Sequence, residues 1–207
     1  MLRRCGARGP GLTLEPLRVG ASAGGRVGEN RGMEIRRLLP GDEELLRDVR
    51  LRALGEAPFA FGSRLEREAD VGLEFWRGRL HESTGQDGAI FAAIDQDGVA
   101  VGMAGGYFGE GAPARATVFG VWVDPGARGH GLGRELVGAV IDWARGTRAR
   151  ELSLCVTDAP QSLPAAALYR SLGFGANGHS EPLASESSLT ALGMSLDLST
   201  AQGEALR

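Results

Sequence analysis

VFGVWVDPGARGHGLGRELVGAVIDWA, residues 118–144, reads as a buried strand, a tight glycine loop and an amphipathic helix in direct succession. The strand belongs to RATVFGVWV (115–123), a nearly continuous apolar run of the kind that is covered on both faces of a sheet. The helix is predicted from about Gly131 to Arg145, with Leu132, Leu136, Val137, Val140, Ile141 and Ala144 on one face. Between them, Gly129, Gly131 and Gly133 let the backbone turn inward, so that several N–H groups converge beside the positive end of a helix. That is an anion site. Each charge-assisted N–H bond contributes on the order of 1.5–3 kcal/mol, so several together hold a pyrophosphate without a lysine. Arg128 and Arg134 flank the loop, and residues 128–150 carry five arginines against Glu135 and Asp142.

Working outward, pattern begins at Met33 with a short strand, a turn and a helix start at Asp42. Leu45, Leu46, Val49 and Ala53 share one helical face, and a second helix is predicted over Asp70 to Glu82 with Phe75, Trp76 and Leu80 as its apolar residues. The intervening loop, EAPFAFGS, carries Phe59 and Phe61, which suit either the wall of a substrate pocket or the cover of a core edge. A hairpin follows, AIFAAID and VAVGMAGGYF about a turn ending in Gly98. After the central helix come the strand ELSLCVT, a short helix from near Pro164, and two closing strands, GFGANGHSEPL and LTALGMSLDL. The core order ββαβαββ implies one α/β domain on a mixed sheet.

The first 32 residues hold eight glycines and neither period 2 nor period 3.6. They read as a disordered tail or an over-extended start before Met33; an organelle presequence is the rival, weakened by Gly and Pro. Residues 33–198 form the domain and 199–207 a C-terminal tail.

Composition excludes several classes. Hydrophobic residues make up 43% and charged residues 24% of the 207 positions, which is globular. The longest apolar run, Ala89 to Ile94, is far short of the roughly 20 residues that cross a bilayer, so no membrane span is expected. The net charge is −3, with +4 in the first 32 residues, leaving the domain without the basic face that nucleic acid requires. Cys5 and Cys155 match no metal spacing, so no metal or disulfide framework is expected and a cytoplasmic setting is the default.

Three phosphate-binding motifs compete for the glycine loop. A P-loop fails because no Gly-Lys-Ser/Thr follows. A dinucleotide fingerprint lacks its third glycine, since Arg134 or Leu136 stands there, although Asp158 at the end of the next strand is placed to mimic the ribose-binding acid. The third fits: Arg128-Gly-His-Gly-Leu-Gly133 resembles the Arg/Gln-x-x-Gly-x-Gly/Ala loop of the GNAT N-acetyltransferase superfamily, and Val-Asp-Pro before it resembles that family's strand-to-loop junction. The resemblance runs over residues 33–198 and includes LRALGEAPFAFGS, VGMAGGYF and ALYRSLGF.

The resemblance implies a single GNAT-like α/β domain, its mixed central sheet flanked by helices, that uses acetyl-CoA as co-substrate and an amine as acceptor. It assigns Arg128, Gly129, His130, Gly131, Leu132, Gly133 and Arg134 to the pyrophosphate, and the backbone of Val121, Trp122 and Val123 to the pantetheine arm. Tyr169 takes the place of the general acid, against its alternative as a core aromatic. Ser162 stands where the family commonly has a cofactor-contacting asparagine. No glutamate lies between Arg115 and Val123 to act as base, which leaves Asp158 as the nearest candidate. Direct acetyl transfer to a primary amine is the expected function, and a homodimer is compatible with it. A non-catalytic acyl-CoA-binding or regulatory domain and a nicotinamide-dinucleotide enzyme are the alternatives.

Overall fold

The computed structural model describes residues 27–30, 32–109 and 111–199. Its sheet is built from β1 (Val27–Asn30), β2 (Met33–Arg37), β3 (Gly88–Ile94), β4 (Ala100–Phe108), β5 (Arg115–Val123), β6 (Glu151–Thr157), β7 (Gly175–Leu183) and β8 (Glu186–Asp197). The spatial order is β1-β2-β3-β4-β5-β6-β8-β7, with β5 and β6 parallel and the other neighbours antiparallel. The helices are α1 (Glu43–Glu56), α2 (Leu65–Ala69), α3 (Leu73–Glu82), α4 (Leu132–Arg145) and α5 (Leu163–Ser171).

Two clusters of buried side chains cover the sheet. One gathers Leu132, Leu136, Val137, Val140, Ile141 and Ala144, the stripe read from the sequence for α4, with β5, β6 and α5. The other gathers Leu46, Val49 and Ala53 of α1 with Trp76 and Leu80 of α3. Phe75 does not join them: it is 43% exposed and stacks edge-on against Trp76.

Several local expectations change. The helix expected over residues 70–82 begins at Leu73, capped at Gly72, and is preceded by the separate five-residue α2. Asp42 precedes α1 but does not cap it with its side chain; its carboxylate takes two 2.8 Å bonds from Arg36 and one from the Leu39 N–H. The Arg36 hydrogen bond, outweighing burial, holds that carboxyl below the usual range. Within the stretch read as a patternless tail, Val27–Asn30 forms an edge strand on β2, turned back through Gly32 at φ +80°. Four residues are too few to show a period. Residues 1–26 and 200–207, including Cys5, lie outside the described residues.

The feature that makes a site is a splay. β5 and β6 pair over Arg115–Thr117 and Glu151–Ser153, where a 3.0 Å Arg115–Glu151 ion pair and the Thr117 and Ser153 hydroxyls hold the closed end. Beyond Thr117 the two strands separate, and a cavity of about 80 Å³ opens between Val118–Val121 and Leu154–Thr157.

Candidate active site

At the open end of β5 the chain bends through a short 3-10 turn, Pro125–Ala127, fixed by the Asp124 carboxylate accepting the Gly126 N–H at 3.0 Å. Gly129 and Gly131 then adopt φ +82° and +86°, the left-handed region where a side chain costs roughly 1–2 kcal/mol. Gly131 is the N-cap of α4 and offers no side-chain cap. Among the described residues no acceptor meets the N–H groups of Gly129, Gly131, Leu132 or Gly133. Orphan donors at the positive end of a 14-residue helix are the physical definition of an anion cradle. Gly133 adds close approach, since a Cβ there would stand 3.2 Å from Leu168 Cδ2.

The loop is tied to α1. Arg128 donates from Nε to the Val123 carbonyl at 2.9 Å and from Nη2 to Glu56 at 2.7 Å, and Glu56 also accepts Trp122 Nε1 at 3.0 Å. Burial pushes the Glu56 carboxyl up, but the Trp122 and Arg128 hydrogen bonds and the Arg128 charge more than offset it, leaving the group below its ordinary range. Arg52, one turn earlier, pairs with Asp124 at 3.1 Å and lies 5.5 Å over the Trp122 ring. Neither Glu56 nor Arg52 stands out in the sequence, because each meets its partner some 70 residues away.

β5 also carries a bulge. Met103 pairs with Trp122 but Gly105 pairs with Phe119, so β5 holds one extra residue there, and Gly120 takes φ +66°. A lone glycine inside an apolar strand is the sequence signal for this. The Asp124 N–H bonds the Val101 carbonyl, which makes Met103–Trp122 a hydrogen-bonded pair and turns the Val123 backbone to the opposite edge. Trp122 therefore turns its backbone groups toward β4 rather than toward the open edge of β5. Val121, in the cavity wall, and the outward N–H of Val123 remain for that role.

The cavity is walled by Phe61, Phe119, Leu154 and Val156, with Ser162 and Tyr169 from the α5 side. Tyr169 is 6% exposed and packs against Phe174 at 6.1 Å between ring centroids. Its hydroxyl has no hydrogen-bond partner among the described residues, and burial pushes its pKa up. It is both core aromatic and cavity wall. Ser162 is buried beside it at the start of α5.

Other expected residues fall elsewhere. Asp158 is exposed and outside the cavity lining; its N–H bonds the Thr190 carbonyl at 2.7 Å, tying the end of β6 to β8. That placement keeps its carboxylate out of the cavity wall. The Leu132 side chain is 1% exposed and belongs to the core, so only its N–H serves the loop. His130 is exposed, and Arg134 donates to the Ser171 hydroxyl at 2.7 Å, linking α4 to α5. Of the two loop aromatics, Phe61 lines the cavity and Phe59 packs on the α1–α3 core. Cys155, His179 and Glu181 bring ligand atoms within 4.8 Å of one another across the strands, but Cys155 and Glu181 both hold other partners, so the trio is not an open ligand set.

Comparison with known proteins places the chain in a family. The sequence model of the acetyltransferase (GNAT) family matches residues 51–174, and the chain belongs to that family. In fold it is similar to a GNAT superfamily phosphinothricin acetyltransferase from Sinorhizobium meliloti in complex with AcCoA, with TM-score 0.67, 18% identity, and 85% of this chain and 92% of that one covered. It is also similar to a ribosomal-protein-alanine N-acetyltransferase from Brucella melitensis, with TM-score 0.64, 23% identity, and coverage of 79% and 98%. A GCN5-related N-acetyltransferase from Kribbella flavida gives TM-score 0.64 and 22% identity over 82% and 99%. Comparison with curated proteins finds no sequence match. Among the described residues no helix is long and apolar enough to cross a membrane.

Proposed function

We propose that the protein is an acetyl-CoA-dependent N-acetyltransferase acting on a primary amine of low basicity. The observation that carries the reading is the set of unpartnered loop N–H groups beside a cavity walled by Tyr169. When bound, acetyl-CoA supplies an acyl group already activated as a thioester. The N–H groups of Gly129, Gly131, Leu132 and Gly133, with Arg134 beside them, hold the pyrophosphate. Val121 and Val123 orient the pantetheine arm along the open edge of β5, and Ser162 stands in the cavity wall on the opposite side.

Tyr169 is the group that meets the sulfur. A thiol near pKa 8.5 leaves as thiolate more readily than a buried tyrosine gives up its proton, so full proton transfer from Tyr169 runs uphill. The elevated pKa instead keeps the hydroxyl protonated across the working range, and it stabilises the developing charge by donating a hydrogen bond.

The acceptor class follows from what the cavity lacks. None of its lining residues is a carboxylate or a histidine. Deprotonating a lysine-like amine at pH 7 costs about 4.6 kcal/mol, whereas an α-amino group near 7.7–8.0 costs about 1 to 1.4 kcal/mol. A site without its own base suits the α-amine, its proton passing to water. The same absence favours a second reading, an acyl-CoA-binding domain without turnover. Thiol release measured across α-amines and lysine-like amines separates the two, and calorimetry with acetyl-CoA, CoA and NAD checks the cofactor. Tight acetyl-CoA binding with no thiol release over any amine refutes the enzyme; NAD binding at the loop refutes the cofactor.

A further inference from the structure

The segment 57–64, which brings Ala60 and Phe61 into the cavity wall, has no regular structure beyond the 3-10 turn Pro58–Ala60, yet it is fastened to the end of β6 and to the β7–β8 turn. The Thr157 hydroxyl at the end of β6 donates to the Phe59 carbonyl at 2.9 Å. The buried Ser185 hydroxyl in the β7–β8 turn donates to the Phe61 carbonyl at 2.5 Å, and Arg64 Nε returns a bond to the Ser185 carbonyl at 2.6 Å. Beneath the segment lies a buried ion pair. Arg50 of α1 donates from Nε and Nη2 to the two Glu68 oxygens of α2, both at 3.0 Å, with the two residues only 8% and 6% exposed. The Arg50 guanidinium lies 4.8 Å from the centroid of the Phe61 ring.

A buried pair of this kind is a poor source of stability, because desolvation consumes most of the attraction and apolar replacements of similar volume often fold as well or better. What an apolar pair cannot reproduce is a cation held over an aromatic ring. Arg50 has its fork fixed by Glu68, so its orientation is set before anything enters the cavity.

We infer that Arg50 and Glu68 are positioning residues for the acceptor side of the site, acting through Phe61 to fix the wall against which the amine substrate packs. The inference rests on the transferase reading for its kinetic arm only. The cofactor loop touches neither residue, so the pair governs acceptor recognition and leaves acetyl-CoA binding alone.

The double variant R50M/E68L tests this, because it removes both charges of the pair and returns apolar volume, while Arg79, 3.9 Å from Glu68 and 38% exposed, keeps its access to water. The expected result is a melting temperature close to wild type, an unchanged Kd for acetyl-CoA, a KM for alaninamide raised about tenfold and a kcat changed less than threefold, the pattern of a misplaced wall. Hydrogen exchange over residues 57–64 should rise at least tenfold, while residues 128–134 stay protected as in wild type. A purely structural pair predicts the opposite, wild-type KM and wild-type exchange once folding is restored, and that result overturns the proposal. Should the double variant fail to fold, Phe61→Leu with the ion pair intact must raise the same KM, and an unchanged KM refutes the role. If the wild-type protein does not acetylate alaninamide at all, the acceptor assignment fails while the exchange measurement still decides whether the pair positions the wall.

Discussion

Replacing Tyr169 by Phe deletes one hydroxyl and leaves the ring. Structurally the change is nearly silent: the side chain is 6% exposed, the Phe174 contact is aromatic and persists, and no protein group loses a hydrogen bond. The expected effect on folding at pH 7 is within about 0.5 kcal/mol in either direction. Turnover should fall between roughly tenfold and a thousandfold, which is about 1.4 to 4 kcal/mol of lost stabilisation, with the Kd for acetyl-CoA unchanged because the interaction is made mainly as charge develops on sulfur. The assay is steady-state thiol release at saturating acetyl-CoA over a pH series. Because burial raises the Tyr169 pKa, the wild-type profile should show no falling limb near pH 10 from this group. The sign for stability runs the other way. An unfolded tyrosine ionises near pH 10 and the folded one does not, so wild-type stability is intact below pH 10 and is lost above it, at up to about 1.4 kcal/mol per pH unit. The Phe variant should escape that loss. Wild-type kcat in a folded Tyr169→Phe protein would remove Tyr169 from the chemistry and leave it a core aromatic.

Gly131→Val forces a β-branched residue to φ +86° at the N-cap of α4, so the variant should lose roughly 1–2 kcal/mol of stability and at least tenfold in CoA affinity; an unchanged calorimetric Kd in the folded variant refutes the anion cradle. Asp158→Asn should keep kcat/KM within about twofold across the pH profile, since the side chain is exposed and outside the cavity, and a hundredfold loss would restore it as the base. A chain begun at Met33 lacks β1 and leaves the β2 edge unpaired, so thermal unfolding should occur a few degrees lower while acetyl-CoA affinity holds; a lost affinity would show that the preceding residues reach the site.

What the sequence revealed depended on whether a residue's partner is local. The α4 stripe and the glycine loop are encoded in consecutive positions, and the periodicity of a 14-residue helix reports its buried face directly, whereas β5, expected to be covered on both faces, is buried only at Ala116, Val118 and Trp122. The five residues of α2 and the four of β1 are too short to carry such a period. Asp42 shows how a local rule yields to a competing partner: it stands at the position of a cap, but Arg36 is six residues away and takes the carboxylate in a bidentate grip.

The acceptor side lay hidden for a different reason. Its cavity exists because β5 and β6 stop pairing after three positions, a property of the register rather than of any residue type. Two carboxylates of the architecture, Glu56 paired with Arg128 of the loop and Glu68 paired with the Arg50 that lies over Phe61, sit on helices among other charged residues that look equally solvent-facing in one dimension. Each is distinguished only by an arginine delivered from another element. In the function proposed above, the cofactor half is written as a contiguous motif because a pyrophosphate would be held by backbone groups, which glycines must expose one after another. The acceptor half is held by side chains from α1, α2, β6 and the β7–β8 turn, so any one of them can change without breaking a motif. On the proposed reading, acceptor choice would vary through Phe61 and its supports while the cofactor loop stays fixed.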